Sequence, residues 1–228
     1  MNKLFNIGGT KIEPTKILCL GRNYLDHIKE TNAQVPVEPV FFAKTINTLI
    51  TDNQPITFPK ILYENQEFSR VDHEVELAFI MLQTGKNITA ELAFDYIQGY
   101  TILLDITARD MQIIDRNKKL PWYRSKNFDS FGPIGPKIIP CSEIEDPYNL
   151  NIQLKVNGEL RQNSNTKHML FKIPEIVEYL SKHVTLNKGD IIATGTPGGI
   201  KSIVPDDIIE ASIEKIGTIT HEVILEEN

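Results

Sequence analysis

Cysteine is scarce in this chain. Its two residues, Cys19 and Cys141, stand far apart and belong to no C-x-x-C pair. That excludes a zinc ribbon, leaves room for one disulfide at most, and points to a reducing compartment. Long apolar runs are missing as well. None approaches the roughly 18 residues that span a bilayer, and residues 1–6 carry no apolar stretch of a secretory leader. The expectation is a cytoplasmic protein without membrane contact, in which the Asn87-Ile88-Thr89 sequon has no consequence. Basic residues are outnumbered, 24 against 30 acidic ones for a net charge of −6, and no Lys/Arg stripe is present. Nucleic acid is therefore not the expected partner. A glycine-rich phosphate loop is absent too, since TGTPGG (residues 194–199) has neither the lysine nor the spacing of one. It reads as a tight turn that can present backbone N–H groups and the Thr196 hydroxyl to an anion.

What is present suits one large domain, or one domain with a small appendage: 228 residues, 41% hydrophobic and 24% charged. Strand signals dominate. Ile17 to Leu20 is a continuous apolar run closed by Gly21, as expected of a strand buried on both faces, and VFFAK (residues 40–44) is another. Residues 151–156 alternate strictly, and Asn157-Gly158 predicts a hairpin with a type I′ turn. Residues 191–194 form a further strand, and residues 207–225 read as two strands broken near Gly217. Helices are few. The clearest are residues 90–98, with Thr89 as N-cap, and residues 174–183, with Pro174 in the first turn. Helices set apart from a strand-rich body predict an α+β fold rather than a doubly wound sheet.

Two carboxylates interrupt the apolar run VDHEVELAFI (residues 71–80). In a strand Glu74 and Glu76 share a face. Buried unpaired, two such charges are costly, and a divalent cation with a taste for oxygen ligands is the simplest compensation. An isolated E-x-E is otherwise a solvated strand face. A third carboxylate, Asp105, ends the apolar run before it, at a point where strand ends present ligands to clefts. If a helix follows, Arg109 and Gln112 share a face at i, i+3; the plain alternative for Arg109 is a salt bridge to Asp110 or Asp105. His27 and Glu30 are three apart in GRNYLDHIKE (residues 21–30), so on one helical turn the carboxylate can orient the imidazole as a general base, or the two form an exposed ion pair. Lys126 lies among aromatics in WYRSKNF (residues 122–128) and reads as a partly desolvated cation or a lysine with a snorkelling stem.

Together with PVFFAK, LKVNGELRQ and GDIIATGTPGG, these motifs resemble the fumarylacetoacetate hydrolase superfamily from about residue 16 to the C-terminus. The similarity is to its short branch of acylpyruvases, oxaloacetate decarboxylases and related isomerases. The resemblance implies a mixed-sheet β-roll with few helices, residues 16–228 as one catalytic domain after a lead-in strand or turn over residues 1–15, and a homodimer. It implies Mg²⁺ or Mn²⁺ on Glu74, Glu76 and Asp105, a His27–Glu30 base, and Lys126, Arg109, Gln112 and Thr196 around the substrate. Arg22 and Tyr24 are added to the substrate side. Gly199-Ile200-Lys201-Ser202 stands where relatives often read Gly-Val-Gly, and Asp206-Asp207 where many have Gly-Asp. These departures bear on the pocket, not on the metal ligands.

The chemistry so implied is cleavage of the C3–C4 bond of a small 2-oxo acid through an enolate stabilised by the metal. The substrate is an acylpyruvate attacked by water, oxaloacetate losing CO₂, or both. The alternatives are an isomerase or decarboxylase of dicarboxylic 2-oxo acids from aromatic catabolism, and a non-catalytic metal-binding or interaction protein. An isomerase would need a second cationic pocket, and Arg22, Arg70 and Arg124 cannot be placed in one from sequence. Residues 31–38 have little helix or strand character and are expected to form a lid over the dyad.

Overall fold

A computed structural model describes residues 3–51 and 53–227. Its largest sheet has seven strands in the order Val40–Lys44, Ile17–Gly21, Ile191–Ala193, Val75–Met81, Ile97–Leu104, Gly132–Pro140, Leu49–Thr51. Ile191–Ala193 is parallel to Ile17–Gly21, Gly132–Pro140 is parallel to Leu49–Thr51, and the other neighbours are antiparallel. A five-stranded sheet packs beside it, ordered Glu159–Asn165, Asn151–Val156, Ile208–Ile213, Gly217–Leu225, Ile56–Phe58. Three short strands, Thr107–Ala108, Val71–Asp72 and Ser202–Ile203, form a third sheet. The lead-in folds as a hairpin of Phe5–Ile7 and Thr10–Ile12, whose Phe5, Ile7 and Ile12 are buried. The β-rich α+β class read from the sequence is the class of this fold.

The strand Val75–Met81 is buried along its whole length, which is why it reads as a nearly unbroken apolar run. Val75, Leu77, Phe79 and Met81 pack into one core cluster, Ala78 and Ile80 into a second on the other face. Side chains of this size contribute about 1.5–3 kcal/mol each when fully buried, so the strand anchors both layers. Ile17–Gly21 divides in the same way: Leu18 and Leu20 face the first cluster, Ile17 and Cys19 the second. Both cysteines are free.

The hairpin turn at Asn157-Gly158 has φ of 52° and 77°, as a type I′ turn requires. The helix Ile173–His183 starts one residue before the expected Pro174, and Glu175 accepts the Lys172 N–H at 2.7 Å to cap it. The expected helix over residues 90–98 is corrected: a 3₁₀ turn, Ala90–Tyr96, runs directly into the strand Ile97–Leu104. Pairing with Val75–Met81 claims Ile97 and Gln98 for the strand, and Thr89 makes no side-chain cap. Among the described residues no helix is long and apolar enough to cross a membrane.

Candidate active site

Strand register assembles the acids. The pairing of Val75–Met81 with Ile97–Leu104 sets Glu76 opposite Leu103 and Val75 opposite Leu104. One step further, the Asp105 N–H donates to the Glu74 carbonyl at 2.9 Å. Residues opposite one another in an antiparallel pair share a face, as do residues two apart in one strand. Glu74, Glu76 and Asp105 therefore converge, with one oxygen from each lying within 4.8 Å of the others. All three are buried.

Buried cations answer most of that charge. Lys126 Nζ donates to Glu74 Oε2 at 3.0 Å, to Thr107 Oγ1 at 2.7 Å and to Asp105 Oδ2, over the face of Phe42 at 4.8 Å. Lys44 Nζ donates to Asp105 Oδ1 at 2.8 Å and to the Lys126 carbonyl at 2.5 Å. Arg109 leads the helix Arg109–Asn117; its Nε donates to Asp72 Oδ2 at 2.8 Å and its Nη2 to Glu74 Oε1. Neither Asp105 nor Asp110 takes this arginine. Glu76 is the exception: it accepts the Gly195 N–H at 2.7 Å and has no ion-pair partner among the described residues.

The electrostatics follow. Burial, then Asp105 and Glu74, push the Glu76 carboxyl well above the usual carboxylate range. Burial works the same way on Glu74, but Lys126 and Arg109 outweigh it and hold that group well below the range. Burial lowers the Lys126 ammonium, and Asp105 and Glu74 more than reverse this. A hard divalent cation fits the set: three converging carboxylate oxygens, one on a carboxylate with no counter-charge of its own.

The acids line a cavity of about 270 Å³ together with Arg22, His27, Glu30, Arg109, Gln112, Lys126 and Thr196. The helix Leu25–Glu30 puts His27 Nδ1 3.7 Å from Glu30 Oε2, an ion-pair distance longer than a hydrogen bond. Partial burial acts to raise the Glu30 carboxyl; His27 and the Gly199 N–H, which donates to it at 3.1 Å, prevail and lower it. Gln112 Oε1 accepts from Arg109 Nη1 at 2.5 Å. Tyr24 does not line the cavity: its ring is fully buried in the first core cluster, and its hydroxyl has no hydrogen-bond partner. The TGTPGG turn offers its groups to the protein itself, the Gly195 N–H to Glu76 and the Thr196 hydroxyl proton to the Val75 carbonyl at 2.9 Å.

Residues 16–224 match the family described as Fumarylacetoacetate (FAA) hydrolase C-terminal. The chain belongs to the fumarylacetoacetate hydrolase family. Mitochondrial oxaloacetate tautomerase FAHD1 of Rattus norvegicus is 41% identical to it over 200 residues, 88% of this chain and 87% of the relative. Mitochondrial oxaloacetate decarboxylase of Dictyostelium discoideum is 39% identical over 219 residues, 96% of this chain and 94% of the relative. Among solved structures, fumarylpyruvate hydrolase from Pseudomonas aeruginosa in complex with Mn²⁺ and pyruvate superposes with a TM-score of 0.89 at 29% identity, covering 99% of this chain and 97% of that one.

In this fumarylacetoacetate hydrolase family member, three site residues escaped the sequence reading. Asp72 accepts from both Arg109 and Arg70 Nε at 2.8 Å, and so aims Arg109 at Glu74. Its signal was present, since alternation puts Asp72 on the face of Glu74 and Glu76. Lys44 is a lone lysine closing an apolar strand, buried at 1% exposure. Gln162 had no local signal. It bridges the core of the site, its Oε1 accepting the Val75 N–H at 3.1 Å while its Nε2 donates to Thr196 Oγ1 at 2.8 Å.

Gly199 holds the dyad's far side. Its φ is +97°, and a Cβ there would sit 2.2 Å from the Arg161 carbonyl oxygen. Gly199→Ala is expected to cost about 2 kcal/mol through left-handed strain and overpacking, and to loosen Glu30. An unchanged urea midpoint would show that the backbone does not approach so closely.

Proposed function

We propose that this protein is a divalent-metal-dependent enzyme that cleaves the C3–C4 bond of a small 2-oxo acid, as an acylpyruvate hydrolase, an oxaloacetate decarboxylase, or both. The observation that carries the reading is the convergence of Glu74, Glu76 and Asp105 beside Lys126, in a cavity that also holds His27 and Glu30. Glu74, Glu76 and Asp105 would hold Mg²⁺ or Mn²⁺, which when bound supplies Lewis acidity toward the keto and carboxylate oxygens.

The chain's own residues supply the rest. Arg109, braced by Asp72 and in contact with Gln112, offers a guanidinium to the substrate carboxylate. His27, oriented by Glu30, takes a proton from water as the oxygen attacks the C4 carbonyl of an acylpyruvate. The C3–C4 bond then breaks, its electron pair becomes the C2–C3 enolate, and a proton returned to C3 gives pyruvate beside the released acid. Lys126 places a buried positive charge near the enolate oxygen. With oxaloacetate the same bond breaks with loss of CO₂ and no water is consumed. A second reading, tautomerisation of oxaloacetate, is supported by the activity of the rat relative; it moves a proton between C3 and the C2 oxygen and leaves C3–C4 intact. The small-molecule substrate and a homodimeric state belong to the same proposal.

Exhaustive chelation is expected to abolish pyruvate release from acylpyruvates and from oxaloacetate, with Mg²⁺ or Mn²⁺ each restoring it. Full turnover in chelator would sink the reading. NMR of oxaloacetate separates the second reading, because a tautomerase speeds keto–enol exchange without forming pyruvate.

Residues 31–38 carry no strand or helix beyond a turn at Thr31 and Asn32, and Thr31 and Ala33 line the cavity. Val35 is 57% and Val37 97% exposed, apolar surface that closure over the dyad would cover. Oxalate with Mg²⁺ is expected to slow amide exchange in this segment; equal exchange with and without oxalate would count against a lid.

A further inference from the structure

Gln162 reaches the acids from the other sheet. It is the only buried residue of the edge strand Glu159–Asn165. The register slips just before it: Leu154 faces Gln162 but Lys155 faces Leu160, which leaves Arg161 unpaired. Such bulges re-aim neighbouring side chains and recur beside active sites. The Arg161 carbonyl packs against Gly199, so the bulged strand docks on the TGTPGG turn.

All four hydrogen-bonding positions of the Gln162 amide are used. Its Oε1 accepts the Val75 N–H at 3.1 Å and faces His73 Nδ1 at 3.0 Å. Its Nε2 donates to Thr196 Oγ1 at 2.8 Å and to the Pro197 carbonyl at 2.9 Å. The amide has one orientation, because the Val75 N–H can only donate and the Pro197 carbonyl can only accept. The Thr196 hydroxyl in turn donates to the Val75 carbonyl at 2.9 Å. A closed ring results, running from the Val75 N–H through Gln162 and Thr196 back to the Val75 carbonyl. Val75, Gln162 and Thr196 are all buried, so bulk water does not compete for these bonds.

Val75 lies between Glu74 and Glu76, and its peptide groups stand on an edge that the sheet leaves open. The neighbouring strand Ile191–Ala193 ends by pairing Ala193 with Ala78. The Thr194 N–H still donates to the Leu77 carbonyl at 2.9 Å. Gly195, at φ +93°, then turns the chain off the ladder and gives its N–H to Glu76. Val75 is two residues before Leu77 and presents its N–H and carbonyl on the same edge. Unpaired, each of these buried groups would cost ~1–3 kcal/mol. Gln162 and Thr196 supply the missing partners, and so hold the backbone between the two acids where the ladder on that side no longer does.

We infer that Gln162 is a positioning residue of the acid site: through its ring with Thr196 and Val75 it fixes the relative placement of Glu74 and Glu76 as metal ligands. Gln162 does not itself line the cavity, so it acts only through these partners. The role rests on the metal centre proposed above and adds to it a residue of the second sheet.

Metal affinity of the folded protein separates this role from bulk stability. Chelator-stripped wild type and variants are titrated with Mn²⁺, the free ion followed by electron paramagnetic resonance, and melted in chelator. Gln162→Met, similar in length and without the amide, is expected to raise the Mn²⁺ dissociation constant by about 10- to 100-fold, the scale of lost support to a metal ligand. Thr196→Val, which keeps the shape and removes the hydroxyl, is expected to raise it several-fold, whereas Thr196→Ser stays near wild type. The double variant Gln162→Met/Thr196→Val should bind no worse than Gln162→Met alone, since either change opens the same ring. Ser181→Ala is the control. It removes a buried acceptor of the Ile88 N–H at 2.9 Å, outside the cavity, and should lower the melting temperature while leaving Mn²⁺ affinity alone. Wild-type affinity in Gln162→Met and Thr196→Val, additive losses in the double variant, or an equal loss in Ser181→Ala would overturn the positioning role and leave the metal centre standing. Should Gln162→Met not fold, the contrast between valine and serine at position 196 decides: a difference supports the ring, and equal affinities overturn it. Absence of Mn²⁺ uptake by the wild type would overturn the metal centre and the role of Gln162 with it.

Discussion

Replacing His27 by alanine is expected to lower acylpyruvate hydrolysis by about 10²-fold or more, the usual scale of a lost general base, and to lower oxaloacetate decarboxylation less. Hydrolysis needs water activated at the C4 carbonyl, whereas decarboxylation needs positive charge where the enolate develops. The geometry permits this division of labour. His27 and Glu30 sit on their own helix, Leu25–Glu30, while Lys126 contacts the carboxylates directly. Lys126→Ala should damage both reactions, because the enolate is common to both. Equal losses of the two activities in His27→Ala would mean that the dyad positions substrate rather than activating water.

Glu76→Gln is expected to be the most damaging single change among the acids. It removes a ligand oxygen charge from a site of three, and both activities should fall by more than about 10²-fold, beyond the effect of losing an outer-shell partner. Its effect on stability should run the other way in chelator. Glu76 has a folded-state carboxyl raised above the unfolded value of about 4.3. Its ionisation therefore opposes folding, and metal-free wild type loses stability as pH climbs from that value toward the raised one. Glutamine cannot ionise, so in chelator the variant's melting temperature should exceed that of wild type by a margin that grows with pH. Added Mg²⁺ should reverse the order, since only the wild type gains binding free energy. Thermal melts across pH with and without Mg²⁺ check both signs. A variant less stable than wild type in chelator at neutral pH would mean that Glu76 is not under the strain of unanswered charge.

Much of this was legible in the sequence because it is local. Alternation put Glu74 and Glu76 on one face, the end of an apolar run marked Asp105, and a spacing of three joined His27 to Glu30. Each of these is a short-range rule acting within one element. The strands with two-sided burial were legible for the same reason. What failed depended on partners distant in the chain. The residues after Thr89 have helical composition, but a 3₁₀ turn, Ala90–Tyr96, leads straight into a long strand whose pairing with Val75–Met81 takes Ile97 and Gln98. Tyr24 lies two positions after the cavity-lining Arg22 in a site motif, and its ring, on an extended backbone at φ −130°, is buried in the core. Lys44 meets Asp105 across 61 positions and Gln162 meets Val75 across 87. The departure at Ile200 does bear on the pocket, whose wall that side chain lines. Asp206, where relatives often have glycine, adopts φ 74°, a conformation that aspartate tolerates better than most residues.

Uptake of Mn²⁺ tests the acid site most directly. Chelator-stripped protein is titrated with Mn²⁺ while the free-ion signal is followed by electron paramagnetic resonance, in wild type and in Glu76→Gln. The expected result is one Mn²⁺ bound per chain in the wild type, displaced by Mg²⁺, and no comparable binding in the variant. Absence of uptake by the wild type, or equal uptake by both proteins, would contradict a metal centre built on Glu74, Glu76 and Asp105.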